Sequence, residues 1–280
     1  MIVRAGIPDA ECRYHQTICE WNKTVMVQLT PMSFLIVCPL VFLAGFVDSI
    51  GGGGGLISLP AYLFAGLPIH AVVATNKLSA CFGTGTATLR FIRQKLVRPQ
   101  LVLPTVAAAA AGSAIGARIS LILSERVLLI ILLCVLPVVA FAVTTKVLQD
   151  RPRESEVINT RTCVTATIAA FAIGMYDGIY GPGTGTFLII ALTIFSKLSI
   201  VTANAHTKVI NLTSNIISLI IFLRSGTVVI PLGLAAAVCN MAGAYLGSGM
   251  VMEKGSKIVR PILAVVLALL FIKVLGELLT

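Results

Sequence analysis

Charge is what this chain is short of. Asp, Glu, Lys and Arg make up only 11% of its 280 residues, against about 25% in soluble globular domains, and that shortage excludes an ordinary water-soluble fold. Acid is the scarcer sign: 11 Asp and Glu face 21 Lys and Arg, for a net charge of +10. The basic residues gather in short loops between apolar runs, as at Arg90, Arg93, Lys95 and Arg98. That is the pattern of positive-inside retention, not of nucleic-acid binding. The seven cysteines show neither metal-ligand nor disulfide spacing. Cys38, Cys81, Cys134, Cys163 and Cys239 fall inside apolar runs, where cysteine acts as a small hydrophobe. No Ser/His/Asp or Cys/His arrangement at nucleophile spacing is present. A run of five glycines, Gly51 to Gly55, lacks the Gly-Lys-Ser/Thr ending of a phosphate loop. The sequence therefore points away from an enzyme, and no cofactor or metal is expected.

What is present is apolar. The chain is 57% hydrophobic, with a mean hydropathy of +0.99, and several runs reach the roughly 20 residues that cross a bilayer. The expected fold is all-α: a polytopic helical membrane protein with two homologous halves, each with four spans and a short broken or re-entrant helix. Residues 1–30 read as a polar N-terminal tail, with no apolar core that would make a signal peptide. Residues 31–145 read as the first repeat, with spans at about 32–48, 71–91, 101–121 and 127–145. Residues 146–161 form a polar linker. Residues 162–280 read as the second repeat, with spans at about 163–176, 203–223, 229–250 and 258–279. The short pieces, about 56–65 and 186–195, would reach only about 15 Å as helices. For that reason they are expected to re-enter rather than cross, with both chain ends on the basic, cytoplasmic side.

Glycine organises the two halves. Gly45-Phe46-Val47-Asp48 leads into the five-glycine run, and Gly174-Met175-Tyr176-Asp177 leads into Gly178-Ile179-Tyr180-Gly181-Pro182-Gly183-Thr184-Gly185. Each glycine in a helix costs about 1 kcal/mol relative to alanine. Non-helical backbone at membrane depth is tolerated only when buried in protein or lining a cavity. Gly45 and Asp48 match Gly174 and Asp177 at a separation of 129 residues; Lys77, Gly112 and Gly116 match Lys208, Gly243 and Gly247 at 131. Internal symmetry with paired helix breaks is a plan used by secondary transporters.

The polar residues inside the apolar runs are the candidate site. Lys77 and Lys208 sit in Asn76-Lys77 and His206-Thr207-Lys208, and a lysine at membrane depth is a functional candidate by default, with snorkelling as the alternative. Cation, amide and hydroxyl donors together suit an anion. Asn76 and Asn211 supply amides, with Asn215 one turn beyond Asn211. Gly52, Gly53, Gly54, Gly183 and Thr184 would bring backbone N–H groups and the start of a short helix to the same place. Asp48 and Asp177 are either counter-ions to the lysines, proton carriers, or solvated helix ends; His206 is either a proton relay or a hydrogen-bonded core residue.

Three stretches together, Gly45-Phe46-Val47-Asp48 with its glycine run, Ala74-Thr75-Asn76-Lys77-Leu78, and Lys208-Val209-Ile210-Asn211-Leu212-Thr213-Ser214-Asn215, resemble the TauE/SafE family of sulfite exporter-like permeases. The resemblance covers about residues 33–279. It implies a duplicated helical carrier in the plasma (inner) membrane, moving sulfite, sulfonates or related organic anions, with protons as the coupling ion. Asn76, Lys77, Lys208, Asn211 and both glycine breaks fall in the family's signature stretches. The expected partners are a small anionic substrate, protons and membrane lipid, with no nucleic acid; a homodimer is compatible with the sequence. A passive anion channel and a non-transporting membrane scaffold are the alternatives.

Overall fold

The computed structural model describes residues 2–3, 27–124, 126–127, 130 and 158–254. Most of the N-terminal tail, most of the expected span at 127–145, all of the one at 258–279 and most of the linker lie outside the described residues. Among those that are described, eight helices carry the fold: α1 Pro31–Gly51, α2 Gly55–Phe64, α3 Ile69–Arg93, α4 Pro99–Ile122, α5 Thr160–Ile179, α6 Thr184–Ile194, α7 Ile200–Arg224 and α8 Ile230–Lys254. The one strand pairing among the described residues is two residues long and antiparallel, Ile2–Val3 with Val27–Gln28.

Local chemistry sets the helix starts. Thr30 caps α1 in a reciprocal box with Ser33, and Pro31 follows at the first helical position. Asn159 caps α5 through a bond from Thr162 N–H, and Ser199 caps α7 through Thr202 N–H. Thr160 and Arg161, assigned to the linker by the sequence, already belong to α5. Four of the helices, α1, α4, α5 and α7, and Ile230–Val251 of α8 are long and apolar enough to cross a membrane. α3 matches them in length at 25 residues but carries Thr75, Asn76, Lys77 and Ser79 in its buried face. The short helices α2 and α6 have 10 and 11 residues, about half of the ~30 Å hydrocarbon thickness at 1.5 Å per residue.

The second set of four helices follows the first in order and length. Pro31 and Thr160 begin α1 and α5, and Gly55 and Thr184 begin α2 and α6, each pair 129 residues apart. Ile69 and Ile200 begin α3 and α7, and Pro99 and Ile230 begin α4 and α8, each pair 131 apart. The sets interlock. α4 packs on α5 and α7, and α8 packs on α1 and α3, so each fourth helix lies against the other set. Small residues make these contacts close. A Cβ on Gly116 would stand 2.0 Å from the Met175 carbonyl oxygen, and one on Gly243 would stand 2.0 Å from that of Phe42.

The breaks are shorter than the glycine pattern suggests. Gly51 ends α1 and Gly55 starts α2, so only Gly52–Gly54 lie outside helix. Gly178, read from sequence as part of the second break, is helical, as is Gly174 in the span before it. They let α4 close on α5: a Cβ on Gly178 would lie 2.4 Å from the Ser113 carbonyl oxygen. The second break is confined to Tyr180–Gly183.

Candidate functional site

The two breaks meet. Gly52 has φ +79°, and a Cβ there would fall 2.4 Å from both the Gly185 carbonyl carbon and Thr186 N. Bare backbone on both sides is what lets the end of α1 touch the start of α6. Thr186 Oγ1 donates to the Gly51 carbonyl at 3.3 Å. Asn204 Nδ2 donates to the carbonyls of Ser49 and Ile50 at 3.3 and 3.1 Å, serving acceptors that a helix C-terminus leaves open. No acceptor among the described residues faces the N–H of Gly55 or Gly185, so two helix N-termini present free donors here.

Around this junction the lysines and aspartates pair crosswise. Lys77 Nζ of α3 lies 2.7 Å from Asp177 Oδ2 of α5, and Lys208 Nζ of α7 lies 2.8 Å from Asp48 Oδ2 of α1. Lys77 also donates to Asn215 Oδ1 at 3.0 Å. The Ser214 hydroxyl donates to Asp177 Oδ2 at 2.5 Å. Lys208 donates a second bond to the Asp48 carbonyl, and Asp48 Oδ1 accepts Gly54 N–H at 3.2 Å. Neither ammonium snorkels: the Lys77 and Lys208 side chains are 2% and 0% exposed. Taking two such pairs out of water is tolerable only because each carboxylate has further donors and each ammonium a second acceptor. Of the alternatives the sequence left open for the aspartates, the structure shows ion pairing with the lysines, each in the other set of helices.

A cavity of about 40 Å³ opens between the breaks, room for about three waters. Of the residues singled out from sequence, Asp48, Gly53, Gly54, Asn76, Lys77, Asp177, Gly183, Thr184 and Asn211 line it; Gly52, Lys208 and His206 do not. Gly52 is spent on the contact with α6, and Lys208 lies behind Asp48. His206 is fully buried, with Nε2 accepting Arg98 N–H at 2.8 Å ahead of α4. Asn76 accepts the Ser58 hydroxyl at 2.6 Å through Oδ1, leaving its NH₂ for the cavity, and Asn211 Oδ1 accepts from Asn215 Nδ2 at 3.3 Å. The lining is thus rich in donors, with two carboxylates already bonded, an arrangement suited to a small anion.

Sequence reasoning passed over Ser58, Ser214 and Asn240. Ser58 and Ser214 carry no signal, because serine is common in membrane helices as packing glue. Asn240 does carry one: it is an amide isolated in the apolar run Leu234–Met241, and it lines the cavity.

The chain matches the sequence profile of the family described as "Sulfite exporter TauE/SafE" over residues 37–274. It belongs to the TauE/SafE family. Among its relatives are the "Probable membrane transporter protein ORF9" of Sinorhizobium sp, 38% identical over 247 residues, covering 88% of this chain and 93% of that protein. The "Probable membrane transporter protein YfcA" of Escherichia coli (strain K12) is 34% identical over 264 residues, 92% of this chain and 94% of that one. A more distant relative, "Probable membrane transporter protein YunE" of Bacillus subtilis (strain 168), is 25% identical over 270 residues, 88% and 98% of the two chains. No solved structure matches. TauE/SafE members are named as membrane transporters, not enzymes, and with its apolar helices this chain is a multi-pass membrane transporter of that family.

Proposed function

We propose that the chain is a secondary active carrier that moves a small anion, sulfur-containing or organic, across the plasma membrane in exchange for or together with protons. The observation that carries this reading is the crossed pairing of Lys77 with Asp177 and Lys208 with Asp48 around a donor-lined cavity. The four charges sum to zero, so an arriving anion leaves an uncompensated negative charge in a low-dielectric site. A proton taken up on a carboxylate removes that excess and releases an ammonium N–H to the anion. Binding of the two ions is thereby linked by the chemistry of one cluster. Both pairs join one helix set to the other, so rocking the sets against each other would break and remake them. That couples the charge state to which side is open. The family's description as a sulfite exporter supports sulfite or a sulfonate as the substrate class.

The test is uptake by the purified protein in proteoliposomes. An imposed proton gradient should drive sulfite or sulfonate accumulation above its equilibrium level, and a protonophore should abolish the excess. Flux that only ever runs downhill, unaltered by the protonophore, would make the chain a passive anion channel; no flux for any anion would make it a non-transporting scaffold.

A further inference from the structure

Asn240 lies in α8 at a point where α8 crosses α1 and α3. Two glycines make its slot. A Cβ on Gly45 would come within 2.4 Å of Asn240 Oδ1, and one on Gly83 within 1.9 Å, so any larger residue at either position would push the amide aside. The residue is 6% exposed and lines the cavity. No described residue hydrogen-bonds to either end of its amide. Both ends of the amide are therefore open to the cavity and available to a ligand.

The position is not symmetric. Ala109 stands 131 residues earlier, at the matching place in α4, and packs on Gly174. Gly83 itself matches Ser214, whose hydroxyl is already bonded to Asp177. On the α4 side a methyl group and a bonded serine fill the space; on the α8 side a bare amide faces the cavity. Ala80 and Thr84 likewise stand where the second set has Asn211 and Asn215, and all four line the same cavity. The binding space is therefore one-sided, and among its polar groups Asn240, like Thr84, has no hydrogen bond to a described residue; of the two only Asn240 brings an amide NH₂.

We propose that Asn240 is a substrate-contacting, specificity-determining residue of this transporter, its NH₂ donating to an oxygen of a compact oxyanion held beside Lys77. This rests on the reading of the chain as an anion carrier. With about 40 Å³ available, Asn240 closes the site to anions with a long organic tail, so sulfite fits and sulfoacetate is hindered. Removing the amide loses one charge-assisted hydrogen bond and opens room for the tail.

The experiment is a titration of sulfite and of sulfoacetate against the purified full-length protein, read by thermal shift, for wild type, Asn240→Ala and Asn240→Ser. Asn240→Ala should weaken sulfite binding about tenfold and narrow or reverse the preference over sulfoacetate. Because the amide has no protein partner to lose, the ligand-free melting temperature should not fall. Asn240→Ser, which keeps a short donor, should recover part of the sulfite affinity. Wild-type sulfite affinity in Asn240→Ala, or a lower ligand-free melting temperature with the anion preference unchanged, would overturn the assignment while leaving the carrier reading intact. Failure of the wild-type protein to bind any anion would overturn both.

Discussion

Lys77 and Asp177 are 100 residues apart in the chain and 2.7 Å apart in space, and their partners at matching positions, Lys208 and Asp48, are joined in the same crossed sense at 2.8 Å. Each contact ties one set of helices to the other. Neither lysine pairs with the aspartate of its own set, so the ionic cluster is a link between the two sets as well as the wall of a cavity.

Removing one member of a pair should therefore harm folding as well as transport. Lys208→Ala strands Asp48 beside the Gly52–Gly54 break, and loss of one partner from a buried pair costs about 3–5 kcal/mol. Replacing both, as Lys208→Met with Asp48→Leu, should recover much of that stability while leaving proton-driven accumulation dead, because the carboxylate that would carry the proton is gone. Denaturation of the single and double variants in detergent, alongside proteoliposome flux, separates the two effects. Equal stability of the single variant and wild type would mean the pair does not hold the sets together.

The pairing also shows where the sequence could and could not be read. Lys77, Lys208, Asp48 and Asp177 stood out because charge at membrane depth is rare, and their separations gave away their equivalence. Which lysine meets which aspartate was not legible, since both parallel and crossed pairings satisfy the same spacing. Helix number and order among the described residues followed from the apolar runs. The extent of the breaks did not, because glycine serves two purposes that look alike in sequence. At Gly52 and Gly181 it supplies positive φ, of +79° and +89°; at Gly174 and Gly178 it supplies close approach of α4 to an unbroken helix. Asn240 was overlooked because its meaning depends on Gly45 and Gly83, two residues from other helices.

The two aspartates should not be equivalent in coupling. The Asp48 side chain is 18% exposed and Asp177 only 4%, with Asp177 further held by Ser214. Both line the cavity, and Asp48 is the more accessible of the two. Lys208 faces it directly, and Lys77 with Asp177 stands on the same cavity wall. Removing the Asp48 charge should raise anion affinity, since it relieves repulsion of the anion. Asp48→Asn should bind anion with little pH dependence and exchange it across the bilayer without responding to a proton gradient. A full pH response in Asp48→Asn, and its loss in Asp177→Asn, would reverse the assignment.

Neighbouring glycines of the first break should respond differently to alanine. At Gly52 the methyl would meet the Gly185–Thr186 backbone at 2.4 Å with φ at +79°. Backbone cannot yield as a side chain can, so Gly52→Ala should abolish folding or separate the two breaks. Gly55 begins α2, and its methyl would sit 3.4 Å from Pro182 Cα, in ordinary contact. Gly55→Ala should fold normally and, by favouring helix there, gain up to about 1 kcal/mol. Expression level and melting temperature of the two variants check this directly. Equal loss in both would mean that the whole glycine run is needed for conformational freedom.

His206 is the residue where the relay reading and the packing reading part. Its Nε2 accepts the Arg98 N–H at 2.8 Å, and it does not line the cavity. A doubly protonated imidazole has no acceptor to offer, so passing protons through this ring would require breaking the bond that holds the start of α4 against α7. His206→Gln, which retains a side-chain acceptor, should keep the wild-type pH profile of transport. His206→Ala leaves the Arg98 N–H without that acceptor and should lose about 1–3 kcal/mol of stability with the same pH profile. Flux measured across a pH series for both variants decides between the readings. A profile that flattens in His206→Gln, at unchanged stability, would put the ring in the proton path.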